Sequence, residues 1–508
     1  MVASASARMT RSTRRGSSLF AVTTPDASIR SEMKRLSVAL IMGVVSLSLH
    51  AQTVLSDADP RIEVMVTAIS ETRLKMLVDT LAGFHTRNTL SDTTSPTRGI
   101  GAARQWILEE LKRSSLKLQV NFDTYKLAKQ GRITRPVELR NVLAILPGRS
   151  PRRIYVSAHY DSVNIGRTGQ IGANTRPPTA PGQAPPPDPQ RRANQDYNAA
   201  APGANDNGSG TALTMELARV LAESGLDFDA TIVFALWSGE EQGLIGANVH
   251  ARRLAKEKTV VEANFNNDIV GNSRGGNGVI DAESVRVYSD GPDDSMSRSL
   301  ARYIERTAAL YVPGHRVRLI SRQDRFGRGS DNAAFNQFGF PAVVFREANE
   351  NFAMQHAATD TVDGVDIAYL AQNTRVNLAG VASLAMAPPT PKVTNKRRAT
   401  ATERSDAPTE GPMRTQVMIG RQPSGYDAKL RWIASPGAVD YRIYWREAWT
   451  SDWQHSHRVG NVTEHVLSSM SIDDFVFGVA AIGPDGHESL VSAYVPPPRR
   501  NTRIKLTP

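Results

Sequence analysis

The chain has 508 residues, of which 40% are hydrophobic, and it carries a formal charge of +11 and no cysteine. Its length exceeds what one ordinary core holds, so two folded domains with tails are expected, and the lack of cysteine excludes thiol catalysis, disulfides and cysteine-ligated zinc. Much of the basic excess is local, within residues 1–35, at 396–398 and after residue 499, which favours solvated ends over a nucleic-acid surface.

The first predicted element is a secretory signal peptide. Met33-Lys34-Arg35 precedes the fourteen-residue apolar run from Leu36 to Leu49, and His50-Ala51-Gln52 follows it. A basic start, a short apolar run and a small residue at the cut are typical of such a leader, and the run is too short to span a bilayer. Residues 1–52 are therefore expected to form the leader region, with Met33 as the true start of the protein. The mature protein is expected to be secreted or periplasmic, without stable membrane insertion.

Helix and strand patterns alternate through residues 53–387. Apolar residues at three-to-four spacing predict helices at 61–85, 102–116, 209–224, 242–256, 295–309 and 365–387. Short β-branched runs predict strands at 142–146, 154–157, 231–237, 263–270, 285–289 and 342–345. This alternation indicates an α/β domain with a mixed central sheet sandwiched by helices.

Two segments interrupt the pattern. Residues 164–202 are rich in proline, glycine and alanine, and they are expected to form a flexible insertion that packs no core. Residues 388–413 are predicted to be a polar linker. Strand alternation returns over 414–498, for example at Tyr441, Ile443 and Trp445, and predicts a small β-sandwich before a basic tail at 499–508.

Five short stretches of the first domain contain side chains that could bind a metal. They supply His159 and Asp161, Asp206, Glu240 and Glu241, Asp268, and His356. Imidazole nitrogens mixed with carboxylate oxygens are ligands that zinc accepts. Taken singly, each residue has an ordinary structural explanation, such as a helix cap or a solvated loop. Four of the five stretches follow predicted strands, where ligands gather in α/β sheets, so together they favour a metallo-hydrolase.

The stretches HYDS, GANDNGSG, SGEEQGL, NNDIVG and QHAATDT resemble the co-catalytic di-zinc aminopeptidases, the bacterial leucyl-type enzymes related to glutamate carboxypeptidases and glutaminyl cyclases. The resemblance covers roughly residues 60–387 and implies two Zn²⁺ per chain, bridged by Asp206. It implies that His159 and Asp268 complete one zinc site and that Glu241 and His356 complete the other.

The same resemblance assigns the remaining roles. Glu240 would be the general base and acid, Asp161 would be the partner of His159, and the Asp206–Asn207 peptide bond would be cis. Asn332 is a departure, because many relatives have histidine after the Ser-Asp pair. The C-terminal module resembles a fibronectin type III domain, which is expected to contact surface or polymeric material.

The predicted function is a secreted metallo-aminopeptidase that hydrolyses N-terminal residues from peptide substrates, with a water activated by two zinc ions and without a nucleic-acid partner. Three alternatives stay open at this point. A carboxypeptidase of the same fold would need an arginine pocket for the terminal carboxylate, and the sequence does not locate one. A glutaminyl cyclase of the same fold and a non-catalytic binding protein with a decayed site are the others.

Overall fold

The computed structural model describes residues 58–165, 196–398 and 413–495, and its largest element is an eight-stranded sheet. The predicted leader, the basic tail, and most of the proline-rich insertion and of the linker lie outside the described residues.

The central sheet is mixed, which confirms the predicted fold class. Its strands are β1 (Gln119–Leu127), β2 (Val137–Leu146), β3 (Ser150–His159), β4 (Ala230–Trp237), β5 (Val261–Asn267), β6 (Ser284–Ser289), β7 (Arg316–Ile320) and β8 (Ala342–Glu347). They lie in the order β1-β2-β4-β3-β5-β8-β6-β7. The four central strands β4, β3, β5 and β8 are parallel, whereas β2 and β6 pair with their neighbours β4 and β8 in antiparallel register.

Helices cover both faces of this sheet. They are α1 (Pro60–Thr67), α2 (Glu71–Gly83), α3 (Gly99–Ser114), α4 (Gly210–Glu223), α5 (Ile245–Glu257), α6 (Met296–Tyr311), α7 (Asn332–Gln337) and α8 (Ile367–Met386). Along β3, Ile154 and Val156 pack in the larger apolar cluster, and Tyr155 between them packs in the other. Successive strand residues point to opposite faces, so an almost continuous apolar strand requires cover on both sides. None of the helices in the described ranges is both long and apolar enough to cross a membrane.

The C-terminal module forms small antiparallel sheets, as the predicted β-sandwich requires. Its strands are β9 (Thr394–Arg398), β10 (Met413–Val417), β11 (Ile419–Arg421), β12 (Ala428–Arg431), β13 (Asp440–Glu447), β14 (His455–Gly460), β15 (Glu464–Leu467), β16 (Phe475–Ile482) and β17 (Ser492–Ala493). Trp432, Tyr441, Ile443 and Phe477 lie in its apolar core. The resemblance to fibronectin type III stays a prediction.

The module also contacts α6 of the larger domain and the turn that precedes it. The Ser299 hydroxyl donates to the main-chain oxygen of Val491 at 2.8 Å and accepts from its N–H at 3.0 Å. The buried Arg446 guanidinium lies 2.6 Å from the Asp294 carboxylate. These contacts make the module a packed part of the structure.

Three local expectations were wrong. The single helix predicted at 61–85 is two helices, because the Ser70 side chain accepts a hydrogen bond from Arg73 N–H and caps the second one. The edge strands β1 and β7 were missed. Polar residues interrupt the apolar pattern of β1, and β7 contains only five residues, two of them arginine.

Candidate metal centre

The ends of adjacent parallel strands bring the predicted site residues together. His159 is the last residue of β3, Glu240 and Glu241 follow β4, and Asp268 follows β5. Since the carboxyl ends of parallel strands meet at one edge of a sheet, these side chains converge there. Asp206 comes from the turn before α4, and His356 comes from the loop after β8, at the same edge.

Five residues form what we call the metal cradle, namely His159, Asp206, Glu241, Asp268 and His356. Their ligand atoms make two triads that share Asp206, with atoms in each triad within 4.8 Å of one another. Asp206 Oδ1 lies 3.5 Å from His159 Nε2, which is also 3.4 Å from Asp268 Oδ1. Asp206 Oδ2 lies 3.2 Å from His356 Nε2, which is also 3.3 Å from Glu241 Oε2. Each oxygen of one carboxylate therefore faces a separate histidine–carboxylate pair.

These distances fit zinc. Two ligands about 2.0–2.1 Å from a tetrahedral zinc lie about 3.3 Å apart, close to the separations within each triad. Asp206 Oδ2, Glu241 Oε1 and Asp268 Oδ1 are buried and accept no hydrogen bond from the described residues. Buried carboxylate oxygens are costly without a partner, and a bound cation would supply one. The nitrogen and oxygen donors of each triad are ligands that zinc accepts.

The turn that holds Asp206 is fixed by another acid of the His356 loop. Asp360 accepts the main-chain N–H of Asn205 at 2.9 Å and that of Asp206 at 2.8 Å. The Asp206–Asn207 peptide bond is cis, as the resemblance implied. Gly203 begins the turn with φ 56°, and a Cβ there would lie 2.6 Å from the Ser162 side chain, so the position requires glycine.

A buried arginine joins this turn to the end of β3. Arg87 is fully buried. Its guanidinium donates hydrogen bonds to the main-chain oxygens of Leu81, Tyr160, Pro202 and Gly203. Burial lowers the pKa of Arg87 to about 10, against the attraction of Asp360 and Asp161. The charge and the fork of donors thus fix three chain segments beside the cradle.

Asp161 has a different geometry from the one the resemblance implied. His159 Nδ1 is 3.0 Å from the main-chain oxygen of Asp161 and 3.7 Å from its carboxylate, which is too long for a hydrogen bond. The carboxylate instead accepts the N–H groups of Glu240 at 3.3 Å and Glu241 at 3.2 Å, and the Thr89 hydroxyl at 3.1 Å. Asp161 therefore orients His159 through its backbone and the two glutamates through its side chain.

The cradle contains more negative charge than its own residues can neutralise. Burial raises the pKa of Glu241 well above its usual value, and the nearby Asp206 raises it further. Burial also raises the pKa of Glu240 to about 8, although His159 opposes this. Burial would raise the pKa of Asp206 too, but its contacts with His159 and His356 hold it well below its usual value. Crowded acids of this kind attract protons or metal cations.

Glu240 lies beside the cradle in a cavity of about 300 Å³. The residue as a whole is partly exposed, and its carboxylate lies within 4.8 Å of ligand atoms of His159 and Glu241. The wall of the cavity also contains Arg132, Arg325 and Arg328. The structure thus brings together all seven residues that the sequence singled out, with Asp161 and Glu240 around the five of the cradle.

Several supporting groups had been missed. Ser330 donates to Asp268 Oδ2 at 2.6 Å, and Arg346 lies 2.9 Å from the same oxygen. Asp360 had a usable signal, because it lies in the same QHAATDT stretch as His356. Arg87 and Arg346 had none, because each lies outside the five stretches.

The chain matches known proteins over most of its length. The model of peptidase family M28 matches residues 141–381. A probable zinc metalloprotease of Pyrenophora tritici-repentis is 34% identical over 468 residues, which cover 85% of this chain and 86% of that protein. Another, of Pyricularia oryzae, is 36% identical over 476 residues, with coverage of 86% and 84%. Among solved structures, the Legionella pneumophila LapA aminopeptidase has a TM-score of 0.47 and 18% identity over 65% of this chain and 75% of that chain.

Proposed function

We propose that this chain, which belongs to peptidase family M28, is an exported aminopeptidase that uses two zinc ions to remove N-terminal residues from peptides. One observation carries the two-ion proposal. The two oxygens of Asp206 face separate triads, one completed by His159 and Asp268 and the other by Glu241 and His356. A single carboxylate shared in this way supports a bridging ligand between two cations.

Zinc bound in the cradle would lower the pKa of a water molecule and polarise a scissile carbonyl. The residue that moves the proton is Glu240, whose carboxylate lies in the cavity beside the cradle. It accepts the proton of the attacking water and returns it to the leaving amine. Asp161 keeps Glu240 and Glu241 in place through their N–H groups.

The size of the cavity supports an exopeptidase. About 300 Å³ is at the lower end for ligand sites, so it suits one terminal residue better than an extended segment of polypeptide. Removal from the N-terminus, rather than the C-terminus, rests on the motif resemblance of residues 157–361. Export rests on the leader pattern of residues 33–52, which lie outside the described residues.

The decisive experiment compares free and blocked termini. The zinc-loaded full chain should hydrolyse leucine p-nitroanilide but not its N-acetyl derivative, and a chelator should abolish the activity until zinc is restored. Elemental analysis should find two zinc ions per chain. Release of C-terminal residues from N-acetylated peptides, with no cleavage of free aminoacyl amides, would show a carboxypeptidase instead.

Export is tested separately by N-terminal sequencing of the protein recovered outside the cytoplasm of the native host. The expected mature chain begins near Gln52. An intact residue 1 in that fraction would contradict the predicted start and cut.

A further inference from the structure

Three arginines form part of the wall of the cavity beside the cradle. We call Arg132, Arg325 and Arg328 the arginine wall. A bound metal cation would repel basic side chains, so metal binding alone does not explain why arginines lie next to the cradle. Their contacts show which one is available to a substrate.

Two of the three are held by protein groups. Arg132 Nη1 donates to the main-chain oxygen of Glu241 at 3.0 Å. Arg325 lies 2.6 Å from Glu350 Oε2 and 3.3 Å from Asp324 Oδ1. These contacts give both guanidiniums a structural role in the loops around the cradle.

Arg328 is held less completely. Its Nη1 donates to Gln355 Oε1 at 2.7 Å, which fixes the guanidinium next to the loop residue that precedes His356. Its nearest ion-pair partner is Glu350, at 3.8 Å, beyond hydrogen-bond distance. The side chain is 25% exposed, so three-quarters of it is removed from water while the rest lies open to the cavity.

The arginines near this cavity outnumber the carboxylates with which they form ion pairs. Four guanidiniums, of Arg286, Arg325, Arg328 and Arg346, share three carboxylates, of Asp268, Asp324 and Glu350. One of the three, Asp268, belongs to the cradle, so a bound metal would draw on its charge. Glu350 already contacts Arg325 and Arg286 at 2.6 and 2.7 Å. Within this group Arg328 therefore has the longest ion pair, and the other acid that attracts it is Asp206 of the cradle, whose charge a bound metal would share.

We propose that the guanidinium of Arg328 binds a carboxylate of the substrate and makes the enzyme prefer acidic peptides. This inference rests on the proposed aminopeptidase function and names its substrate class. A planar guanidinium with free N–H groups suits a carboxylate, and partial burial strengthens the contact. The carboxylate is either the side chain of an N-terminal glutamate or aspartate, or the C-terminus of a dipeptide.

Matched substrate pairs test the inference and distinguish these two sources. Glutamyl and glutaminyl p-nitroanilides differ only in the side-chain charge, and leucyl-glycine and its C-terminal amide differ only in the terminal charge. The kcat/KM values are measured for the zinc-loaded wild type, Arg328→Gln and Arg322→Gln. Arg322 is an exposed arginine of the same loop that does not line the cavity, so it controls for net charge.

In one of the two substrate pairs, the kcat/KM of the wild type should be about ten- to a hundredfold higher for the acidic member than for the neutral member. This is the range expected for one charge-assisted contact. Arg328→Gln should remove this preference, chiefly through KM, and leave the neutral member within about threefold, whereas Arg322→Gln should retain the preference. Equal rates for acid and neutral members in both pairs would overturn the inference. An equal loss on both members in Arg328→Gln would overturn it as well, because the arginine would then act only through the His356 loop.

Failure of the proposed function is a different outcome. If the zinc-loaded wild type cleaves none of the four compounds, the aminopeptidase proposal is wrong, and the four compounds become ligands. Calorimetry then compares the same pairs. Tighter binding of an acid member, lost in Arg328→Gln, would still support the carboxylate site, and equal binding within both pairs would refute it.

Discussion

Glu240 and Glu241 are neighbours with different proposed roles, so the matched substitutions Glu240→Gln and Glu241→Gln test the assignment directly. The Glu241 carboxylate lies 3.3 Å from His356 Nε2 and belongs to a triad with Asp206. Glu240 belongs to neither of the triads that share Asp206, but its carboxylate lines the cavity. The first substitution should therefore change proton transfer, and the second should change metal binding.

The expected magnitudes follow from these positions. A positioned acid–base group contributes about 10²–10⁴ to turnover, or about 3–5 kcal/mol of activation free energy, so Glu240→Gln should lose that much and retain both metals. Groups that only support a ligand change metal affinity by about ten- to a hundredfold, and loss of Glu241 as a direct ligand should cost at least as much. Turnover of Glu241→Gln should therefore recover in part as free zinc is raised.

The assay is a zinc titration of turnover beside metal analysis of the dialysed protein. Glu257→Gln, an exposed position at the end of α5, serves as the control and should match the wild type in both measurements. If Glu240→Gln loses zinc while Glu241→Gln retains two ions, the assigned roles are reversed. If both variants keep two zinc ions and full turnover, neither glutamate belongs to the catalytic site.

Three further substitutions test groups outside the cradle, namely Asp161, Arg87 and the buried Asp123 of β1. Asp161→Ala should lower both zinc affinity and turnover by about tenfold or more, because the N–H groups of Glu240 and Glu241 lose their acceptor; wild-type values in a zinc titration would contradict this role. Arg87→Met leaves the main-chain oxygens of Leu81, Tyr160 and Pro202 without a donor at about 1–3 kcal/mol each, whereas Gly203 O keeps the N–H of Gly208 at 2.9 Å. Urea unfolding should therefore show a loss above about 3 kcal/mol, and the exposed Arg98→Met should show none. Burial would raise the pKa of Asp123, but His250 and Arg253 lower it to about 2, below the unfolded value of about 3.9. Its stabilising contribution is therefore present above pH 4 and lost between about pH 4 and 2, so Asp123→Asn should destabilise the protein at pH 7, with a difference from wild type in urea midpoint that shrinks over that range.

The sequence predicted the sheet best at its centre. Strands β3, β4 and β8 are buried on both faces and contain the apolar runs 154–156, 232–237 and 342–345, which made them recognisable. β5 is buried as well, although four of its seven residues are polar. Strands β1 and β7, which were missed, are the two edges of the sheet. An edge strand has neighbours on one side only and tolerates polar residues on its open faces, which weakens the pattern on which prediction depends.

Within the site, the residues that were predicted are those whose chemistry is local in sequence. Each cradle residue lies in a short stretch with its own turn or strand end, so the stretch can be read without the fold. Asp161 shows the limit, because its residue type and position were singled out but its contacts were not. Its carboxylate is used by the turn after β4, and only the pairing of β3 with β4 brings that turn to it.

The group of four arginines that includes Arg325 and Arg328 of the arginine wall could not be predicted for a related physical reason. Arginines are common on solvated surfaces, so Arg286, Arg325, Arg328 and Arg346 look ordinary when each is considered in its own segment. They come from β6, β8 and the loop between β7 and α7, and their excess over the acids exists only after these segments meet. A metal site is specified by which donor atoms converge, whereas a preference for charged substrates depends on which charge is left uncompensated. The first can be read from short stretches of sequence, and the second requires every partner in the neighbourhood to be placed.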